Sequence, residues 1–279
     1  MYIKCWGSRG SIPVSGEEFN IYGGDTTCIE IRTKGDRVII IDAGSGIRRL
    51  GNQLIKEGRY SYDILFTHAH WDHLLGFPFF RPLYVKKAEL RIHSCFFAEQ
   101  FVDSILGRVM SSPNFPVDFS DVQASIQYHA PCPEMFMVDS MRVEPIAISH
   151  PNQGNGYRFT EDGKRFVFIT DNELGHIHGG GLPPEAYVEF SKGADLLMHD
   201  AEYTEEEYAT YKGWGHSTWQ SALELAVRAE VRKLGLFHHN QDRTDKEIDE
   251  IVDSCRKAAS ARGARMEIFA VRRDMTFNL

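Results

Sequence analysis

Thr67-His68-Ala69-His70-Trp71-Asp72-His73 puts three imidazoles and a carboxylate into residues 68–73, at the end of the β-prone run Asp63 to Thr67. Side chains of this kind are costly to bury at such density unless an ion or a hydrogen-bond network satisfies them. Imidazole nitrogen suits zinc and other first-row ions, and the oxygen of Asp72 admits a second, harder ion beside the first. The segment reads as part of a metal site at the end of a strand.

Working outward, five more β-rich runs end in a polar or titratable residue. Val38 to Ile41 ends at Asp42, Val143 to Ser149 at His150, and Arg165 to Thr170 at Asp171; Asp195 to Met198 ends at His199, and Lys233 to Phe237 at His238. If these strands lie side by side, their ends converge on one rim. Helical patterns separate them. Ile47, Leu50 and Leu54 recur at helical spacing. Ser217 with Gln220 forms a capping box ahead of Ala222 to Val231, and Thr244 with Glu247 another ahead of Ile248, Ile251 and Val252. Alternation over Thr27 to Thr33 adds a hairpin signal, so the expected class is α/β, with sheets covered by helices.

The rest of the sequence limits the function classes. The chain has 279 residues with no repeat and no Pro/Ser/Gly linker, which reads as a single domain, 1–279. No apolar stretch approaches the roughly 18 residues of a membrane helix, and the start MYIKCWGSRG lacks an apolar signal region, so a cytoplasmic protein without membrane contact is expected. A formal net charge of −8 argues against an extended nucleic-acid groove. Five cysteines, at 5, 28, 95, 132 and 255, form no CxxC pair; they read as buried thiols rather than a zinc ribbon or disulfide framework.

Taken singly, the distant members of the proposed rim have bland readings. His150, before Pro151, could be a loop histidine, Asp171 could cap a turn, and His238 has a rival in His239. Taken in order, Asp42, HAHWDH, His150, Asp171 and His238 resemble the metallo-β-lactamase superfamily, from the Gly-rich start to about residue 240. The resemblance implies an αββα four-layer sandwich with a dinuclear metal site at one sheet edge. It implies that His68, His70 and His150 hold the first metal and that Asp72, His73 and His238 hold the second. Asp171 would bridge the two, and Asp42 would orient the cluster from behind. The cofactors implied are two divalent ions, zinc first, with manganese or iron as alternatives because the same donor set accepts them.

Asp rather than Cys at 171 separates this chain from the antibiotic-hydrolysing branch. It suits phosphoester chemistry, in which a metal pair holds both nucleophile and phosphoryl oxygens. His199-Asp200-Ala201-Glu202-Tyr203 and Gly213-Trp214-Gly215-His216-Ser217-Thr218 resemble the HEAT-type segment and HST loop of the phosphodiesterase branch, which includes tRNA 3′ processing endonucleases and cyclic-nucleotide phosphodiesterases. There a carboxylate and a histidine pair to protonate the leaving oxygen. Here the shorter Asp200 stands where Glu is usual, and His199 reads equally as a buried donor behind the site.

The expectation is a phosphodiesterase acting on a small substrate such as a cyclic nucleotide, with a homodimer left open. A metal-bridging hydroxide would attack phosphorus, Asp72 would orient or deprotonate it, and His216 with Asp200 would protonate the departing alkoxide. A tRNA 3′ endonuclease is the nearest alternative, although the 21 residues from His150 to Asp171 are too few for the protruding arm of that group. A thioester or lactone hydrolase of the same fold, or a non-catalytic metal-binding module, are the others. Three further expectations are that Gly7-Ser8-Arg9-Gly10-Ser11 makes a tight turn near the rim, that His176 to Gly181 is a solvent-exposed loop, and that Glu205-Glu206-Glu207 is a solvated first helical turn. Phe77, Phe79, Phe80, Phe96 and Phe97 are expected in the core or a pocket wall.

Overall fold

The computed structural model describes residues 1–93, 99–129 and 133–279; Cys95, Phe96, Phe97 and Cys132 lie outside the described residues. Cys5, Cys28 and Cys255 are free and buried, as expected of thiols used for packing.

The described strands form two seven-stranded sheets. The first contains β1 (Tyr2–Gly7), β2 (Cys28–Arg32), β3 (Val38–Ile41), β4 (Ser61–Leu65), β5 (Glu89–His93), β6 (Ser125–His129) and the last strand, β14 (Thr276–Asn278), in the order β14-β1-β2-β3-β4-β5-β6. The second contains β7 (Phe136–Val138), β8 (Met141–Ala147), β9 (Asn155–Glu161), β10 (Lys164–Ile169), β11 (Leu196–Asp200), β12 (Lys233–Phe237) and β13 (Glu267–Ala270), ordered β13-β12-β11-β10-β9-β8-β7. Strands β3 to β6 are parallel, as are β10 to β13. Their carboxyl ends therefore point the same way within each sheet, where open α/β sheets bind ligands.

The sequence of β3 shows why the sandwich has four layers. Ile39 and Ile41 enter the core between the sheets, whereas Val38 and Ile40 enter the core under the helices. In β10, Phe166 and Phe168 face the other sheet while Val167 and Ile169 face helices. A strand buried on both faces must be apolar at every position, which is why these runs read as continuous rather than alternating. Each such side chain contributes roughly 1.5–3 kcal/mol on burial.

Helix α1 (Ile47–Lys56) covers the first sheet through Ile47, Leu50 and Leu54; α2 (Trp71–Leu74) and α3 (Glu99–Val109) follow on that side of the chain. Helices α4 (Pro184–Ser191), α6 (Trp219–Arg228) and α7 (Asp245–Ala261) cover the second, and α5 (Glu205–Tyr211) precedes the loop to α6. This is the αββα arrangement expected. Among the described residues no helix is long and apolar enough to cross a membrane.

Several local expectations shift. The α6 cap is Thr218, whose hydroxyl accepts the Ser221 amide, not Ser217. Ser217 is turned inward, donating to the Asn172 carbonyl at 2.6 Å and accepting the Leu174 amide at 3.0 Å. The Thr244–Glu247 box stands as expected, and a second box joins Thr204 to Glu207, the last member of the acidic run. Strand β11 extends through His199 to Asp200, and β4 stops at Leu65 because the Thr67 amide bonds the Asp42 carboxylate instead. Phe77 and Phe80 are in the core, but Phe79 is exposed.

Candidate metal centre

Three residues of the site follow strands: Asp42 after β3, Asp171 just past β10 and His238 after β12. All three are left-handed, with φ of 60°, 52° and 60°. Strain of this kind in non-glycine residues collects at functional sites. Here it turns the chain sharply and leaves each side chain buried at the sheet edge.

The imidazoles of His68, His70 and His150 form one group, each offering a nitrogen within 4.8 Å of the others. Asp72, His73, Asp171 and His238 form a second on the same criterion. Asp171 stands between them. Its Oδ1 is 3.2 Å from His238 Nε2, 3.7 Å from His68 Nε2 and 4.0 Å from His150 Nε2, and its Oδ2 is 3.3 Å from His73 Nε2. Asp72 Oδ2 is 3.2 Å from His73 Nε2 and 3.3 Å from His238 Nε2.

The partners behind these rings fix which nitrogen faces inward. His73 Nδ1 bonds Asp42 at 2.8 Å, His150 Nδ1 donates to the Gly215 carbonyl at 2.9 Å, and His238 Nδ1 bonds Glu202 at 2.9 Å. In each ring Nε2 is the atom turned toward the shared carboxylate or the neighbouring ring. Outer partners of this type set the tautomer and raise ligand basicity. Asp42 is itself held by the amide and hydroxyl of Thr67, at 2.8 and 2.7 Å. Asp42→Asn keeps the shape and removes the charge, so metal affinity is expected to fall ~10- to 100-fold. Competitive titration with a chromophoric chelator measures this, and wild-type affinity would show that His73 needs no anion behind it.

The protonation pattern suits cations. Burial and the neighbouring imidazoles hold His68 well below its ordinary pKa, and burial, in spite of Asp171, pushes His150 down to about 3, so both are neutral donors. Burial disfavours charge on His73 and His238, but Asp72, Asp171, Asp42 and Glu202 outweigh it and raise both. Burial likewise opposes the charge on Asp72 and Asp171, yet the imidazolium groups beside them hold both carboxyls well below the usual range. Protons thus occupy places that divalent ions would take, and ion binding would release them. The buried His68 Nε2 has no hydrogen-bond partner at all. His73 Nε2 is likewise without a hydrogen-bond partner, and a donor set of five imidazoles and two carboxylates with two orphaned nitrogens fits divalent metal.

His216 lies against this centre. Its ring stacks on His238 at 4.6 Å, and its Nδ1 is 2.8 Å from Asp200 Oδ2 and 3.4 Å from Glu202 Oε2. Burial opposes the charge on His216, but Glu202 and Asp200 prevail and raise its pKa to about 9. The short Asp200 side chain therefore reaches. It also accepts the amides of Ser217 and Glu202, at 2.9 and 3.2 Å.

Other sequence candidates fall outside the cluster. His199 is a buried strut, with Nε2 3.2 Å from the Asn172 amide group and Nδ1 donating to the Asp200 carbonyl. His239 donates to the Val271 carbonyl at 2.7 Å and is turned away. The Gly7–Ser11 turn does reach the rim: the Ser11 amide donates to Asp72 at 3.0 Å, and a Cβ on Gly10 would come within 2.4 Å of the His238 ring. In the loop after Asp171, His176 and Ile177 are exposed, but His178 is tied to Glu173 at 2.7 Å.

Two buried acids were not anticipated as site partners. Glu202 bridges His238 and Asn240, the latter at 2.9 Å. Glu173 accepts the amides of Gly213 and Gly215, at 2.7 and 2.8 Å, and the Tyr208 hydroxyl at 2.7 Å. The run Asp171-Asn172-Glu173 at a strand end was the available signal for the second.

Two sheets with their edge lined by this histidine and aspartate set define a metal-dependent hydrolase of the metallo-β-lactamase fold. The family model described as "Beta-lactamase superfamily domain" matches residues 37–239, and the chain belongs to that superfamily. Its relatives include a Ribonuclease Z of Haloarcula marismortui, 24% identical, with 92% of each chain covered. Among solved structures it is similar to the metallo-beta-lactamase fold protein YhfI from Bacillus subtilis, with a TM-score of 0.71 and 16% identity over 99% of this chain and 98% of that one. It is also similar to a diphosphatase from the PhnP family, with a TM-score of 0.69 and 19% identity over 100% and 97%.

Proposed function

We propose that residues 1–279 form one catalytic unit, a dinuclear metal-dependent phosphodiesterase acting on a small phosphodiester such as a cyclic nucleotide. The single-unit reading is supported by the pairing of β14 with β1, which brings the two ends of the described chain into one sheet. His68, His70 and His150 would hold one ion, Asp72, His73 and His238 the other, and Asp171 would serve both. Bound there, two divalent ions, zinc foremost for so imidazole-rich a set, would acidify water and neutralise phosphoryl oxygens.

The observation that carries the reading is the His216–Asp200 pair, 2.8 Å apart and stacked against the metal donors through His238. An alkoxide is a poor leaving group and needs a proton as it departs; a thiolate or an activated ring ester needs it less. His216 keeps its proton at neutral pH, and Asp200 holds Nδ1 so that Nε2–H is the end free to donate. Asp72, whose carboxylate accepts the Ser11 amide, would orient or deprotonate the attacking water.

A small substrate is favoured by the chain between His150 and Asp171. Strands β9 and β10 close through Asp162 and Gly163 alone, leaving no room there for an arm that would grip folded RNA. The Ribonuclease Z likeness, covering 92% of both chains, favours a tRNA 3′ endonuclease as the second reading. The test is metal analysis of the purified protein, with parallel assays on a cyclic nucleotide, a bis-aryl phosphate, precursor tRNA and a lactone. Two ions per chain and hydrolysis of the small phosphodiesters are expected. Cleavage of precursor tRNA at physiological salt would select the second reading, and preference for the lactone would remove both.

A further inference from the structure

Trp214 is 63% exposed, yet the loop carrying it is held by the buried carboxylate of Glu173. A single exposed apolar residue ordinarily needs no explanation; what calls for one here is the rigidity. Gly213 and Gly215, on either side, both have positive φ, 90° and 99°. The amides of both glycines donate to the one buried carboxylate of Glu173, at 2.7 and 2.8 Å, and the Trp214 amide donates to the Tyr211 carbonyl at 3.1 Å. Gly215 could carry no side chain, because a Cβ there would fall 2.1 Å from His150 Nδ1. The Gly215 carbonyl in turn holds His150. The segment that orients one metal donor therefore also presents an indole to solvent.

The indole does not stand alone. Its ring meets Tyr211 at 5.3 Å, Tyr211 stacks on Tyr203 at 5.2 Å, and Tyr203 meets His216 edge-on at 5.9 Å. Three aromatic rings thus lead from open solvent at Trp214, through half-exposed Tyr211 and buried Tyr203, to the proton donor. Trp214 stands two residues before His216 in the chain and is joined to it by ring contacts, at the exposed end of the loop that holds His150. Trp71, 60% exposed, follows His70, whose Nδ1 is 3.0 Å from the His150 ring that Gly215 anchors.

The geometry points to a leaving-group subsite in which Trp214, backed by Tyr211, stacks on a planar nucleobase, so that the substrate is a nucleotide diester. This rests on the phosphodiesterase reading and narrows it. A rigidly held aromatic face supplies stacking without an ordering cost at binding, and every base offers it a matching π-face. An aliphatic leaving group would gain little from a ring fixed in this way.

The test uses the metal-loaded full chain and two substrates that differ only in the base: adenosine 3′,5′-cyclic monophosphate and the methyl riboside 3′,5′-cyclic phosphate. Wild type should prefer the nucleotide, and in Trp214→Ala the ratio of the two kcat/KM values should fall by ~10-fold or more, within the range of base–aromatic stacking. Trp214→Phe should keep most of the preference. Binding supplies a second readout: AMP, but not ribose 5-phosphate, should quench tryptophan fluorescence of the metal-free protein, and Trp214→Ala should abolish the quench. If wild type cleaves both substrates with equal kcat/KM, or if Trp214→Ala leaves ratio and quench unchanged, the subsite is overturned and the phosphodiesterase reading stands. If wild type cleaves neither, that reading falls and takes the subsite with it.

Discussion

Replacing His216 with alanine is expected to lower turnover on a cyclic nucleotide by ~10²- to 10⁴-fold, the usual contribution of a positioned proton donor. The loss should shrink sharply on a bis-aryl phosphate, whose nitrophenolate departs without a proton. This contrast separates a general acid from a residue that merely supports the centre. His216 touches His238 and sits 3.9 Å from Asp171, so its removal could also loosen the metal donors. A support role would cost both substrates equally and lower the bound metal; a proton-donor role leaves metal content at the wild-type level and discriminates by leaving group. Asp200→Asn should follow the same pattern with a smaller loss, since it removes the anion that keeps Nδ1 occupied but leaves the ring. An unchanged rate for His216→Ala on the cyclic nucleotide would remove the assignment. Equal losses on both substrates would reassign His216 to the metal shell.

What could be read from the sequence, and what could not, divides by the range of the interaction. His68 to His73 is legible because the donors are neighbours in the chain and no ordinary packing explains them. Asp42, Asp171 and His238 follow β-prone runs such as Val38 to Ile41, which places them at strand ends, but singly each had a bland reading, and it was the ordered resemblance to the metallo-β-lactamase superfamily that joined them to the 68–73 segment. The choice of His238 over His239 rested on its place directly past the Leu234–Leu236 run and on the superfamily position it matches; the structure turns His239 toward Val271. Glu202 and Glu173 were missed because their partners are distant in the chain, although the run Asp171-Asn172-Glu173 at a strand end was a local signal for the second. Glu202 meets His238 across 36 residues, and Glu173 meets Gly215 across 42. The displaced cap of α6 has the same origin. Local rules favour Ser217, which ranks above threonine as a cap and has Gln220 three residues on, and it is the bond from Ser217 to the Asn172 carbonyl that takes the serine out of contention. The extension of β11 through Asp200 follows from its pairing with Leu236 and Phe237, which no pattern within residues 195–200 records.

Asp171→Ala is expected to have the largest effect of any single change. The Asp171 oxygens approach His68 and His150 of one cluster and His73 and His238 of the other. On the proposed dinuclear site, each ion would lose a ligand without it, and the anion that would offset their mutual repulsion would be gone. Metal content should drop from two ions per chain to one or fewer. A cation supplies several kcal/mol of transition-state stabilisation, and at 1.36 kcal/mol per decade its loss corresponds to a fall in kcat on the order of 10³-fold. Asp171→Glu retains the charge but moves it by one methylene, so partial recovery of metal with little recovery of rate would show that position matters as well as charge. Elemental analysis, single-turnover rates and thermal unfolding of the metal-free variants separate loss of metal from loss of fold. If Asp171→Ala retains two tightly bound ions and wild-type turnover, the carboxylate does not join the clusters, and a dinuclear mechanism built on it cannot stand.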